Sequence, residues 1–231
     1  GAALAADTTI AAAVRATDAA GNSATATDSE SYTVDTAAPG VTVNIADAAL
    51  NVADASSAVS FSFSEAPAGF TAGDVSVVGG TLSGFTATAD PLVYTAIFTA
   101  TAGFEGSGAV SVAAGSYTDA AGNPGGAGGD TVAIDTAAPT PTIQLAANIT
   151  ADDIINAADA GGSVAVTGTV TGARDGDTVT LTVNGSDFTG TVSAGAFSIN
   201  VAGAALAADP TIAAAVLAPD AAGNSATAPD S

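Results

Sequence analysis

The sequence contains no cysteine, methionine, tryptophan or histidine, and its two basic residues, Arg15 and Arg174, leave no lysine. Without imidazole, thiol or primary amine there is no ordinary general base, no thiolate nucleophile and no Schiff-base or phosphate-loop lysine. A serine or threonine nucleophile would lack the base that activates it, so no enzyme is expected. Zinc and copper want imidazole or thiolate ligands, and the sequence offers neither. Positive charge is nearly missing as well: 2 basic against 23 acidic residues give a formal net charge of −21. Such a chain repels nucleic acid and anionic membrane surfaces. No run approaches the roughly 20 apolar residues that span a bilayer, so direct membrane insertion is not expected. The absence of cysteine is compatible with a secreted protein that does without disulfides, and with a cytosolic one. What remains in quantity is oxygen, as carboxylate, amide and carbonyl, which suits hard cations such as calcium.

The chain repeats itself. Residues 1–29 align with 203–231 without a gap, and only Thr8/Pro210, Arg15/Leu217, Thr17/Pro219 and Thr27/Pro229 differ, at an offset of 202. The string Asp-Ala-Ala-Gly-Asn occurs at 18–22, 119–123 and 220–224. Asp-Thr-Ala-Ala-Pro follows the first two, at 35–39 and 135–139. Proline blocks strand pairing and stiffens a short connection, so this second string reads as a linker. Three segments are therefore expected: 1–39, the closing strands of one repeat (type A) with its linker; 40–139, a complete repeat of a second type (B); and 140–231, another type A without the end of its last strand. The chain begins in mid-pattern, without the charged start of a signal peptide, so it is expected to be a window on a longer alternating array.

Within each repeat the apolar pattern has period two. Val59, Phe61 and Phe63 alternate with serines; Val179, Leu181 and Val183 alternate with threonines; Phe197, Ile199 and Val201 share one side. This is the pattern of half-buried antiparallel strands. Gly, Asn, Asp and Pro punctuate the strands at sandwich-like intervals. The core of 40–139 is expected to draw on Val59, Phe61, Phe63, Ile97, Phe98, Val110 and Val112, although Ile97 and Phe98 are neighbours and can face opposite sides. The alanine-rich stretch 204–218 has helical propensity, but Asp209-Pro210 favours reading it as two strands.

With repeats of about 100 residues, "TVDTAAP" linkers and "TDAAGN" turns, the chain resembles the bacterial Ig-like tandem repeats of giant surface adhesins, of the biofilm-associated and RTX types. "VSFSFSEAPAGFTAGDVSVVGGTLSGF" is similar to one common subtype and "ITADDIINAADAGGSVAVTGTVTGARDGDTVTLTVNG" to another. The resemblance implies an all-β fold of Ig-like β-sandwiches joined end to end. It implies a stalk secreted to the bacterial cell surface, with neighbouring repeats of the same chain as partners and calcium at the junctions.

In an Ig-like array each linker meets the BC and FG loops of the next domain, and Asp-Ala-Ala-Gly-Asn takes the FG position. Before repeat B the oxygens expected to converge are Asp35, Glu65, Asp119 and Asn123. Before the second A they are Asp135, Asp175, Asp177, Asp220 and Asn224. Carboxylates brought together repel unless a cation sits among them, and calcium takes six to eight such oxygens. The same residue types are also what a tight turn demands without metal. Asp152, Asp153 and Asp209 form a lesser cluster at the opposite end. The string "GGAGGDTV" at 125–132 has the form of a calcium-roll repeat, but a single copy reads better as a flexible connection.

Three functions fit these observations. The first is a calcium-stiffened stalk. The second is a filament or sheath subunit packing laterally with copies of itself, since edges rich in Ser, Thr and Ala carry no lysine gatekeepers. The third is a module that grips a glycan or protein, for which Tyr117, expected to be exposed beside its turn, is the candidate platform.

Overall fold

The computed structural model describes Leu4 and residues 6–230. The chain opens with a hairpin of β1 (Thr9–Thr17) and β2 (Ser23–Ser31), whose residues are all exposed. The first sandwich follows. One sheet orders β3 (Val41–Ile45), β5 (Ser56–Phe63), β8 (Val93–Ala100) and β7 (Gly80–Ala87). The facing sheet orders β4 (Ala49–Asn51), β10 (Gly128–Asp135), β9 (Glu105–Val112) and β6 (Val75–Val78). Strand β4 pairs parallel to β10, and the other pairings are antiparallel. The second sandwich sets β11 (Thr142–Leu145), β12 (Ser163–Thr171) and β15 (Ala196–Ala202) in one sheet. Its other sheet orders β14 (Ser186–Thr191), β13 (Thr178–Val183), β16 (Ile212–Pro219) and β17 (Ser225–Pro229).

Period-two patterning becomes burial directly. In β5 Val59, Phe61 and Phe63 are buried while Ser56, Ala58 and Ser62 face out. The first core is aromatic: Phe63 meets Phe70 edge-on at 4.9 Å and Tyr117 at 5.1 Å between ring centroids. The second core is mainly aliphatic, with Val166, Val179, Leu181, Val201 and Val216 fully enclosed. Val14, which aligns with Val216, is 64% exposed in the hairpin. Identical residues thus change environment because one copy has an opposing sheet and the other lacks one among the described residues.

Four expectations are corrected. Ile97 is 49% exposed while Phe98 is buried, because successive strand residues point to opposite faces. The stretch after β15 starts as a short helix, Gly203–Ala208, before β16; Leu206 anchors it in the core, and Asp209-Pro210 ends it. Residues 125–132 are packed against the sandwich. A Cβ on Gly125 would lie 2.3 Å from the Tyr117 ring, and one on Gly128, which opens β10, would lie 2.4 Å from the Val41 carbonyl oxygen. Tyr117 is buried, its hydroxyl donating to Pro39 O at 3.0 Å.

Candidate metal centre at the joints

The Asp-Ala-Ala-Gly-Asn turn is built identically three times. Asp18, Asp119 and Asp220 each accept from the backbone N–H of the Asn four residues on, at 2.8–2.9 Å, and from its side-chain amide at 2.7–2.9 Å. The fourth residue takes φ of +87°, +90° and +87°, which is why it is glycine every time. For Asp18 and Asp119 the side-chain amide is the leading cause that holds the carboxyl below its usual range. For Asp220 burial pushes upward, but the combined bonds of Asn224 and the turn amides prevail.

At the first joint, before β3, the turn lies between β9 and β10 and the linker crosses it. Asn123 donates its amide to Asp35 O at 3.3 Å, and Gly126 N and the Tyr117 hydroxyl both hold Pro39 O. Glu65 arrives from the connection after β5. Carboxylate oxygens of Asp35, Glu65 and Asp119 all lie within 4.8 Å of one another. Burial, then the charges of Asp35 and Asp119, push the Glu65 carboxyl above its usual range. Oxygens on opposite sides of one calcium ion stand roughly 5 Å apart, twice a bond of about 2.3–2.6 Å. The spacing and the all-oxygen donor set therefore fit calcium. Asn123 presents its amide nitrogen to the Asp119 carboxylate and to the Asp35 carbonyl, and so holds turn and linker together beside the carboxylates.

The second joint is made differently. Asn224 is buried; its amide nitrogen donates to Asp135 O at 3.0 Å and to Asp220 Oδ2 at 2.8 Å. Its Oδ1 accepts from Val52 N of the first sandwich at 2.7 Å, and Asn51 Nδ2 reaches Ala222 O at 2.9 Å. The amide of Asn224 is thereby spent on bridging the two sandwiches. Asp135, Asp177 and Asp220 line a cleft of about 230 Å³ together with Glu105 and Arg174. Asp177 Oδ2 accepts from Arg174 N at 2.7 Å. Asp175 is turned elsewhere, its Oδ1 taking Ala194 N at 2.8 Å from the loop after β14. No three carboxylates converge here among the described residues as they do at the first joint.

Asp152, Asp153 and Asp209 bond within their own turns, to Thr150, Ile149 and Thr211 respectively. Three joint residues escaped the sequence reading. Asn51 ends β4 and Glu105 opens β9, and the approach of these strand ends to the next sandwich has no sequence signature. Thr136 is buried, and its hydroxyl donates to Thr101 O at 2.6 Å and accepts from Phe104 N at 3.0 Å, tying the linker to the first sandwich. Its recurrence in both Asp-Thr-Ala-Ala-Pro strings was a usable signal.

Residues 35–136 match the bacterial Ig-like domain family. Over its full length the chain is similar to a Ca2+-stabilized adhesin that helps an Antarctic bacterium reach out and bind ice, with 37% identity and a TM-score of 0.62. The chain spans 57% of that structure. It is also similar to a 1.5-MDa bacterial ice-binding adhesin studied for host cell surface retention, with 36% identity, a TM-score of 0.56 and coverage of 97% of this chain and 73% of that one. No curated protein matches the sequence. The two sandwiches, their repeated turns and these likenesses agree: the chain belongs to the bacterial Ig-like repeats of large surface adhesins.

Proposed function

We propose that this chain is an extender of a bacterial cell-surface adhesin, exported and extracellular, in which calcium stiffens the joint before the first sandwich. The boundaries 1–39, 40–139 and 140–231 belong to this reading. Two separate cores, one from Val41 to Ile134 and one from Ile143 to Val216, support them. The observation that carries the metal is the convergence of Asp35, Glu65 and Asp119 within 4.8 Å at the crossing of linker and turn. Calcium bound there links the linker carboxylate to two loops of the sandwich and removes their mutual repulsion. Asp135, Asp177 and Asp220 offer a second and weaker place, where Arg174 opposes a cation and direct hydrogen bonds already hold the joint. Tyr117 is buried in the first sandwich and Tyr94 is half-buried against the same core, which weighs against a glycan platform built on them.

Calorimetric titration and thermal melting test the reading. Extracellular modules bind calcium with Kd of about 10⁻⁴–10⁻³ M, and a hundredfold excess over Kd stabilises the fold by about 2.7 kcal/mol. Glu65→Gln keeps the shape and removes the charge. It should raise calcium-free stability slightly and abolish the tighter binding isotherm, while Asp187→Ala should leave both as they were. A parent chain that melts identically in calcium and in chelator would defeat the metal assignment.

A further inference from the structure

At the second joint the first sandwich offers two donors to the turn 220–224. Asn51 Nδ2 donates to Ala222 O at 2.9 Å, and the next backbone N–H, that of Val52, donates to Asn224 Oδ1 at 2.7 Å. Asn51 is set for this by its own turn. Its Oδ1 accepts from Ala53 N and Asp54 N, both at 2.9 Å, which leaves the amide nitrogen for the neighbour. The second sandwich carries the same arrangement. Residues 152–159 align with 47–54 at an offset of 105 and share Asp152, Asn156, Ala158 and Asp159. Asn156 Oδ1 accepts from Ala158 N at 2.8 Å and from Asp159 N at 3.2 Å. Each asparagine follows an apolar residue packed on its own core, Leu50 in one sandwich and Ile155 in the other. The receiving turn also recurs. Asn123 Nδ2 holds Asp35 O and Asp119 Oδ2 as Asn224 Nδ2 holds Asp135 O and Asp220 Oδ2. The two turns differ in cover: Asn224 is buried beside Asn51 and Val52, whereas Asn123 is half-buried and Ala121 exposed.

We propose that Asn156 and Ala157 form a docking surface for the turn 119–123 of the next sandwich of the first type along the same adhesin. Asn156 Nδ2 donates to Ala121 O, and Ala157 N donates to Asn123 Oδ1. The assignment rests on the reading of the chain as an extender whose repeats follow head to tail. What carries it is the second joint, where the corresponding groups are already engaged on the corresponding turn. Two of the four groups are backbone N–H and C=O, which every non-proline residue presents. Ala157 can therefore stand where Val52 stands without loss of the bond. The asparagine amide is fixed by its own turn before contact, so docking has little left to order. These bonds use no carboxylate and need no cation. At the joint before the first sandwich they set the orientation, and the carboxylates of Asp35, Glu65 and Asp119 remain beside them for calcium.

The test is a tandem chain in which Ser231 is joined to Glu30 of a second copy; residues 1–29 repeat 203–231, so the order of repeats is kept. The sequence has no cysteine, so Ser186→Cys in the first copy and Thr86→Cys in the second carry two spin labels across the new joint. Double electron–electron resonance is recorded in chelator at about 0.15 M salt, where charge is screened beyond roughly 8 Å. It should give one narrow distance. Asn156→Ser in the first copy keeps a capping oxygen and removes the amide donor. It should leave Tm unchanged and lower the ratio of narrow to spread distances roughly fivefold, the size of one lost hydrogen bond. Glu65→Gln in the second copy should leave the narrow distance intact. A distance that is narrow only with calcium would overturn this proposal and leave the calcium reading standing, and one spread in both conditions would overturn both. Equal distributions for Asn156→Ser and the parent would also overturn it. Separate chains should stay monomeric at about 0.1 mM, because they lack the millimolar local concentration that a short linker supplies. Self-association that Asn156→Ser removes would assign the surface to a second copy and overturn the placement along one chain.

Discussion

Asn123 and Asn224 occupy the same place in the same five-residue turn yet meet different partners. Asn123 spends its amide on Asp119 and the linker carbonyl of Asp35. Asn224 adds an oxygen contact to Val52 N and becomes a bolt between sandwiches. Their aspartates make the fold acid-sensitive in a predictable direction. Asp18, Asp119 and Asp220 have carboxyls held below the ordinary 3.8. A depressed acid contributes stability above its unfolded pKa and loses it as pH falls through the folded one. Glu65, raised above 4.5, acts oppositely: its contribution is present below that value and lost as pH rises through its folded pKa. Calcium-free melts should therefore gain stability as pH is lowered toward 4.5 and lose it below 3.8. In Glu65→Gln the gain should vanish and the acid loss should persist, as circular dichroism at stepped pH would show.

At the level of elements, β5 and the glycine-rich entry to β10 hold the first sandwich at opposite places. Phe61 is wholly enclosed, with Phe70 at 5.7 Å and Phe85 at 5.9 Å between centroids. Phe61→Ala should cost about 3–5 kcal/mol in urea unfolding, and a loss below about 1 kcal/mol would reverse the register assigned to β5. Gly125→Ala should cost about 1–3 kcal/mol through overpacking, because its methyl would fall on the Tyr117 ring. In a Tyr117→Ala background the added cost of Gly125→Ala should be smaller. A cost of Gly125→Ala that is the same with and without Tyr117→Ala would show that ring contact is not the cause.

Across the whole molecule the two joints differ in kind, carboxylates without basic charge at one and amide hydrogen bonds beside Arg174 at the other. Asn224→Ala removes the oxygen that receives Val52 N and the nitrogen that holds Asp135 O. Small-angle scattering should show a broader distribution of lengths for this variant with or without calcium. Glu65→Gln should leave that distribution as in the parent, because the sandwiches meet at the other joint. Identical scattering of Asn224→Ala and the parent would mean that linker packing, through Thr136, suffices.

Composition, repetition and period-two patterning determined much of this on their own. Strand alternation is a local property, so Val59, Phe61 and Phe63 could be placed inside from the sequence. A recurring string marks a recurring unit, and Asp-Ala-Ala-Gly-Asn is a turn because its bonds lie within five residues. The grouping of Asp35, Glu65 and Asp119 was also legible, since chain order in an Ig-like sandwich dictates which loops share an end. Only the tertiary structure could decide the rest. Asp175 and Asp177 are two residues apart, and loop backbone direction sends one carboxylate to Ala194 and leaves the other at the cleft. Tyr117 looks exposed beside a polar turn until the linker folds over it. Asn51, Glu105 and Thr136 become joint residues only because one sandwich sets its loops against the next. Contacts across tens to hundreds of residues leave no periodicity in the sequence, and the orientation of a buried amide is settled only by its partners.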